Sequence, residues 1–315
     1  MFAARCAGVS LAMFVLAYVL GSLVICAGWR LLLRVLKPAS ARGTADLLFA
    51  IRVLPLGTAL AITLGVALPS FLLLEPDATD EAVGTAPLLL ATVFLALAAW
   101  GVWSAVRAQR RTSRAMEQWL DGSTRMDSHE NEFVPVFRSH QHSPTLTVAG
   151  VCAPKVIVSD DAASMLTPAE LKTALRHEMA HVRRYDNLKK LIFRVASFPG
   201  TAALEAAWAD QTELAADDAA VSSIDEALDL ASALIKVSRL GFGATAELSR
   251  ALLHSSTALT TRIRRLFAWS GSRDTIPVRP LWVCGISVAA MLVCLITNYN
   301  TMLGGMHELT EWLVR

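Results

Sequence analysis

Four long apolar runs constrain this chain more than any other feature. The first covers roughly residues 7–36, broken only by Arg30 and Arg34 near its end. The others cover about 47–74, 87–106 and 281–297. A helix needs about 20 apolar residues to cross a hydrocarbon core of about 30 Å. The first three runs reach that length and the fourth comes close. The first run is too long for the apolar core of a secretory signal, and no small-residue cleavage site precedes the next basic cluster. With 54% hydrophobic residues in 315, the composition excludes an ordinary soluble domain. The expected fold is a mainly α membrane protein with four transmembrane helices.

Charge between the runs gives an expected orientation. After the first run come Arg30, Arg34, Lys37, Arg42 and Arg52 against a single Asp46. After the second come Glu75, Asp77, Asp80 and Glu81 and no basic residue. Arg107, Arg110, Arg111 and Arg114 follow the third, and Arg262, Arg264, Arg265, Arg273 and Arg279 precede the fourth. Lys and Arg beside spans mark the cytoplasmic face. Both termini are therefore expected outside. The chain divides into a three-helix region (1–106), a cytoplasmic domain (107–279), a fourth span (280–299) and a short external tail (300–315). The net charge of +2 hides this asymmetry. Beside spans, the Arg clusters fit lipid headgroups rather than nucleic acid.

Five cysteines offer neither a disulfide framework nor a thiolate metal site. Cys6, Cys26, Cys284 and Cys294 fall in or beside apolar runs, Cys152 stands alone, and no C-x-x-C pair exists.

Within the cytoplasmic segment, 121–144 reads as a polar linker and 145-TLTVAGVCAPKVIVSDD-161 as a hairpin or two short strands. Thr167-Pro168-Ala169-Glu170 is a capping box with Pro at the first helical position. It opens a helix expected to run to about Val195, before Phe198-Pro199-Gly200. A second helix is expected from Thr201 to about Val221. A third is expected from a second capping box at Ser223 to near Gly241. The segment is thus mostly helical with a small β element, inserted between spans three and four.

The first of these helices carries R-H-E-M-A-H, with His177, Glu178 and His181 in the order H-E-x-x-H. Residues four apart share a helix face, so His177 and His181 can aim two imidazoles at one ion, with Glu178 at its edge. A catalytic zinc takes three protein ligands and keeps one position for water, whose pKa falls to about 7. Glu178 is then placed as general base. A five-residue motif recurs by chance on solvated helix faces, so a third ligand decides. Glu205, Asp210, Glu213, Asp217, Asp218, His254 and the linker histidines are available. In 213-ELAADDAAV-221, Glu213 and Asp217 also lie four apart. Glu213 is therefore expected to complete the set, and Asp217 to orient a ligating imidazole. Asp218 reads as surface acidity and Glu205 and Asp210 as surface ion pairing. His129, His140, His142 and His254 read as solvated.

R-H-E-M-A-H-V-R-R-Y-D followed by E-L-A-A-D resembles the BlaR/MecR-type integral-membrane zinc metallopeptidases of the gluzincin group. A-P-K-V-I-V-S, L-T-P-A-E-L and T-R-I-R-R-L strengthen the resemblance, which covers about residues 144–267. It implies one zinc ion per chain at His177, His181 and Glu213, with Glu178 as catalytic base. It also implies a protein substrate: a cytosolic transcriptional repressor, such as a small winged-helix protein, or the sensor itself. Two departures stand out. Only 298–315 follows the fourth run, so the external penicillin-binding domain of the best-known members is not expected. Thr212 stands where the family often has Arg.

Three further expectations complete the sequence reading. Residues 188–209 are apolar, yet Lys189, Lys190, Arg194 and Glu205 each cost about 2–3 kcal/mol near a bilayer centre. Two short helices packed against the domain are expected there instead of a fifth span. One of the strands 155-KVIVS-159 and 145-TLTVA-149 could align substrate as an added strand. Tyr185, His254 and Arg183 are candidate oxyanion stabilisers, and Asp186 is expected to pair with an Arg. The competing readings are a quality-control or processing zinc protease, and a receptor or scaffold with structural zinc.

Overall fold

The structure, a computed structural model, describes residues 2–38, 40–74, 85–126, 134–140, 146–241, 249–271 and 297–314. Its architecture is predominantly helical. Among the described residues, three helical stretches are long and apolar enough to cross a membrane: Arg5–Leu36, Ala41–Leu74 and Leu88–Leu120. The first is α1 (Phe2–Leu36). The second comprises α2 (Ala41–Ile62), a π-helical turn (Thr63–Ala67) and α3 (Leu68–Leu74). The third lies in α4 (Thr85–Leu120). The fourth expected span, 281–297, falls almost wholly outside the described residues, as do His129 and His142.

Local chemistry explains how the second span is built. Ser40 caps α2 by accepting the backbone N–H of Gly43. Pro55 sits inside α2 and packs on Gly21 of α1. The π-helical turn leaves the Gly65 carbonyl to accept from the Tyr299 hydroxyl at 2.9 Å. Tyr299 opens α11 (Tyr299–Val314), and Ser70 of α3 donates to the Leu303 carbonyl of that helix at 2.8 Å. Cys6 and Val9 of α1 pack on Phe71. The described N-terminal helix and α11 therefore meet the same end of the second span.

After α4 comes a four-stranded sheet in the order β1-β2-β4-β3. Its strands are β1 (Thr124–Met126), β2 (Val136–Ser139), β3 (Leu146–Ala149) and β4 (Lys155–Ser159). The expected hairpin is β3–β4, antiparallel with Thr147 opposite Ile157. Its other half comes from the stretch read as linker: β2 pairs with β4 in parallel and β1 with β2 antiparallel. Val136, Val156 and Val158 are buried against Met179 and partly buried Leu175. This packing seats the sheet on the helix that carries the H-E-x-x-H.

That helix is α6 (Pro168–Arg183), preceded by short α5 (Asp160–Met165). The single helix expected to reach Val195 is broken. Tyr185 takes a left-handed conformation (φ 55°), and α7 (Asp186–Val195) restarts in a new direction. α8 (Ala202–Ala220) and α9 (Ile224–Gly241) match the expected helices, and α10 (Ser249–Phe267) follows. Residues 188–209 form two helices, as expected, with Gly200 at φ 95° in the turn between them.

The α7–α8 turn is anchored among the spans as well as to its own domain. Phe193, Leu204 and Trp208 form one buried cluster with Trp29, Leu48 and Ile51 of the first two spans. Glu205, expected in a surface pair, instead meets Arg52 of α2 at 2.8 Å, and the Arg52 side chain is 1% exposed. The burial follows from the turn sitting on α2. Glu205 is 34% exposed, so the cost falls on Arg52: removing Glu205 would leave the buried guanidinium uncompensated.

Candidate metal centre

Two helices supply the site. α6 places His177 and His181 one turn apart, their rings edge to face with centroids 4.9 Å apart. The two Nε2 atoms lie 3.3 Å from each other. α8 packs against α6 and brings in Glu213. Its Oε2 is 3.5 Å from His177 Nε2, and its Oε1 is 3.5 Å from His181 Nε2. One ligand atom from each residue lies within 4.8 Å of the other two. Among the described residues, this is the group of three that could hold a metal ion.

The other nitrogen of each ring faces a carboxylate. Asp186 Oδ2 accepts from His181 Nδ1 at 2.8 Å, and Asp217 Oδ1 lies 3.0 Å from His177 Nδ1. The second contact is an ion pair off hydrogen-bond geometry. Carrying the proton on Nδ1 leaves both Nε2 lone pairs directed at the gap shared with Glu213. Asp186 and Asp217 are both nearly inaccessible to solvent, so neither is ordinary surface acidity. The sequence anticipated this position for Asp217. For Asp186 it anticipated only an Arg partner, and Arg184 does approach it at 3.6 Å. The break at Tyr185 is what turns Asp186 back towards His181.

A cation from α10 joins the group. Arg262 grips Asp217 with two nitrogens, Nε at 2.8 Å and Nη2 at 2.7 Å. Its Nη1 stands 2.9 Å from Glu213 Oε2, and Nη2 is 3.5 Å from His177 Nε2. The sequence carries no signal for this residue beyond the T-R-I-R-R-L stretch that contains it. Its contacts join residues 45 and 85 positions apart, beyond any helical spacing rule.

These charges set the protonation states. Burial opposes a charged His177, but Asp217 and Glu213 outweigh it and raise its pKa to about 9 without a metal. Burial also opposes ionised Glu213, yet His177 and Arg262 hold its carboxyl well below the usual range. Asp217 is lowered in the same way, burial being outweighed by His177 and Arg262. For Glu178 burial dominates, and its carboxyl is pushed up despite the nearby imidazoles. A low-pKa carboxylate and two imidazoles around one gap form a donor set that fits a divalent cation of zinc type.

The remaining expected site residues lie elsewhere. Tyr185 is 66% exposed in the break between α6 and α7. Arg183 lines a separate cleft with Arg176 and Ser222. The side chain of His254 is outside the described residues. His140 pairs with Asp160 at 2.6 Å and Asp218 with Arg265 at 2.6 Å. Thr212 is buried and donates to the Ala209 carbonyl. β4 is paired on both sides, so it has no free edge for a substrate strand. β3 is an edge strand, but Asn187 already donates to the Val148 and Gly150 carbonyls. A cleft of about 630 Å³ opens beside Glu213 and Arg262, walled by Leu214, Leu234, Val237 and Leu259.

Residues 80–266, more than half the chain, match the family described as BlaR1 peptidase M56. The chain belongs to that family. No curated protein and no solved structure matches it. Membership makes this a membrane-associated metallopeptidase. The matched stretch takes in α6, α8 and most of α10, the three helices that build the centre.

Proposed function

We propose that this M56 peptidase is a zinc endopeptidase of the cytoplasmic membrane that cleaves a cytosolic transcriptional repressor or itself in response to a signal. His177, His181 and Glu213 hold the zinc. Asp217 and Asp186 fix the two rings, and Glu178 is the catalytic base. The observation that carries this reading is the convergence of Glu213 on both Nε2 atoms while each Nδ1 faces a carboxylate.

Zinc bound there would supply Lewis acidity towards the substrate carbonyl and lower the pKa of the attacking water. The rest of the work falls to the protein. Glu178, adjacent to His177 on α6, takes the proton from that water and passes it to the leaving amide nitrogen. Arg262 clamps Asp217 and Glu213 together across α10 and α8. The cleft walled by Leu214, Leu234 and Val237 gives substrate side chains access from the Glu213 side. The basic flanks of the apolar runs support a cytoplasmic location for the centre.

Glu178→Ala tests the mechanism. The purified variant should retain about one zinc per chain and lose proteolysis, because the ligands remain and the base does not. Retained cleavage would exclude the mechanism. Loss of zinc together with cleavage would make Glu178 structural. Used as a trap, the same variant identifies substrates: one repressor supports signalling, whereas many membrane proteins point to quality control.

A further inference from the structure

We propose that Arg52 is a positioning residue for the metal centre: from the second span it grips the α7–α8 turn and so fixes where Glu213 stands against the two histidines. This rests on the metallopeptidase reading above and adds a role for a part of the chain that precedes the family match at residue 80.

Each of the three spans touches this turn at a named point. The Ala196 carbonyl, at the end of α7, accepts from Tyr18 of α1 at 2.7 Å and from Arg52 Nη2 at 2.5 Å. Arg52 Nε and the Thr201 hydroxyl both donate to Glu205 Oε1, at 2.8 and 2.9 Å. From α4, Gly101 lies so close that an added Cβ would sit 2.6 Å from the Val195 carbonyl oxygen. Among the described residues, Arg52 is therefore the side chain that holds both ends of the turn, the Ala196 carbonyl just past α7 and Glu205 in the first turn of α8.

From Glu205 the path to the ligand is short. Glu205 and Glu213 stand eight positions apart on uninterrupted α8, a rise of about 12 Å. A second polar link from the same helix reaches the other half of the centre. Asp46 of α2 lies 3.2 Å from Lys189 Nζ and 3.5 Å from Arg184 Nη2. Both cations also face Asp186, which orients His181. The second span thus supports the Glu213 helix through Arg52 and the His181 partner through Asp46. Ligand distances at a zinc site vary by only about 0.2 Å, so a small displacement of α8 against α6 weakens the grip on the ion. An ionisable residue inside a span also has a desolvation cost that a purely apolar contact would avoid.

The test uses the full chain in detergent and two readouts: zinc affinity, by competition with a chromophoric chelator, and thermal unfolding. Arg52→Met should weaken zinc binding on the order of tenfold. Arg52→Met with Glu205→Met removes both charges at similar volume, so unfolding should return towards wild type while zinc binding stays weakened. Arg52→Lys, which keeps the charge and loses the fork, should fall between. A folded double variant with wild-type zinc affinity would overturn the assignment and leave Arg52 as an anchor. If neither Met variant folds, Tyr18→Phe decides, since it removes one hydrogen bond to the same Ala196 carbonyl. It should weaken zinc binding two- to threefold, and unchanged affinity would overturn the proposal. Wild-type protein that binds no zinc would defeat the metallopeptidase reading itself, which is a separate outcome.

Discussion

Glu170 offers a quantitative test of how the catalytic helix is held. It is the third residue of α6 and lies seven residues before His177. Its carboxylate accepts from the Thr167 backbone N–H at 2.8 Å and from Lys236 Nζ at 2.7 Å, and also from the Ser232 hydroxyl. The Thr167 hydroxyl accepts from the Glu170 N–H in return, completing the capping box. Burial works against this charge, yet Lys236, Ser232 and the Thr167 N–H outweigh it and bring the pKa from 4.5 to about 2. At about 1.4 kcal/mol per pH unit, a depression of roughly two and a half units is worth on the order of 3 kcal/mol of folding stability. The residue is 5% exposed, so solvent screening removes little of this. A group with a depressed folded pKa contributes fully above its unfolded value and loses that contribution as pH falls through the folded one. Glu170→Gln should therefore unfold about 6 °C below wild type at pH 7, at roughly 2 °C per kcal/mol for a chain of this size. The gap should hold down to about pH 5 and close between pH 4.5 and about 2. Tryptophan fluorescence during heating in detergent, at a fixed scan rate, reads both quantities. Equal unfolding at pH 7, or a gap that persists unchanged at pH 2, would refute the argument.

Two other outcomes follow from the geometry. Asp186→Asn and Asp217→Asn should each lower zinc affinity by about 10- to 100-fold in chelator competition, as expected for carboxylates that orient ligating imidazoles; wild-type affinity in either would show that the contact is incidental. An epitope tag at exposed Ser222 should resist proteases added to intact cells, and cleavage there would reverse the proposed orientation.

How much of this could be read from the sequence depended on the range of the interaction. The spans follow from apolar length and the start of α6 from its capping box. The α8 ligand pair follows from a four-residue spacing, and all of these are local patterns. Asp186 was only half legible, because its role depends on Tyr185 entering the left-handed region, which few non-glycine residues favour. Arg262 was hidden by its distance along the chain, since no periodicity relates α10 to α8. In the sequence Arg52 is one more flanking cation, and its partner Glu205 lies 153 positions away. β1 and β2 were missed because each strand is short and set in a polar stretch, so neither shows a run of alternating apolar residues. The β4 edge was misjudged because parallel pairing with β2 leaves no mark on β4 itself.

The central claim is a zinc ion held by two imidazoles from α6 and one carboxylate from α8. X-ray absorption at the zinc edge, on wild type and on Glu213→Ala, tests it most directly. The account predicts a wild-type shell of nitrogen and oxygen only, at about 2.0–2.2 Å with two imidazoles, and loss of an oxygen neighbour or of the zinc itself in Glu213→Ala. A sulfur neighbour near 2.3 Å, or a spectrum unchanged by the substitution, would contradict it.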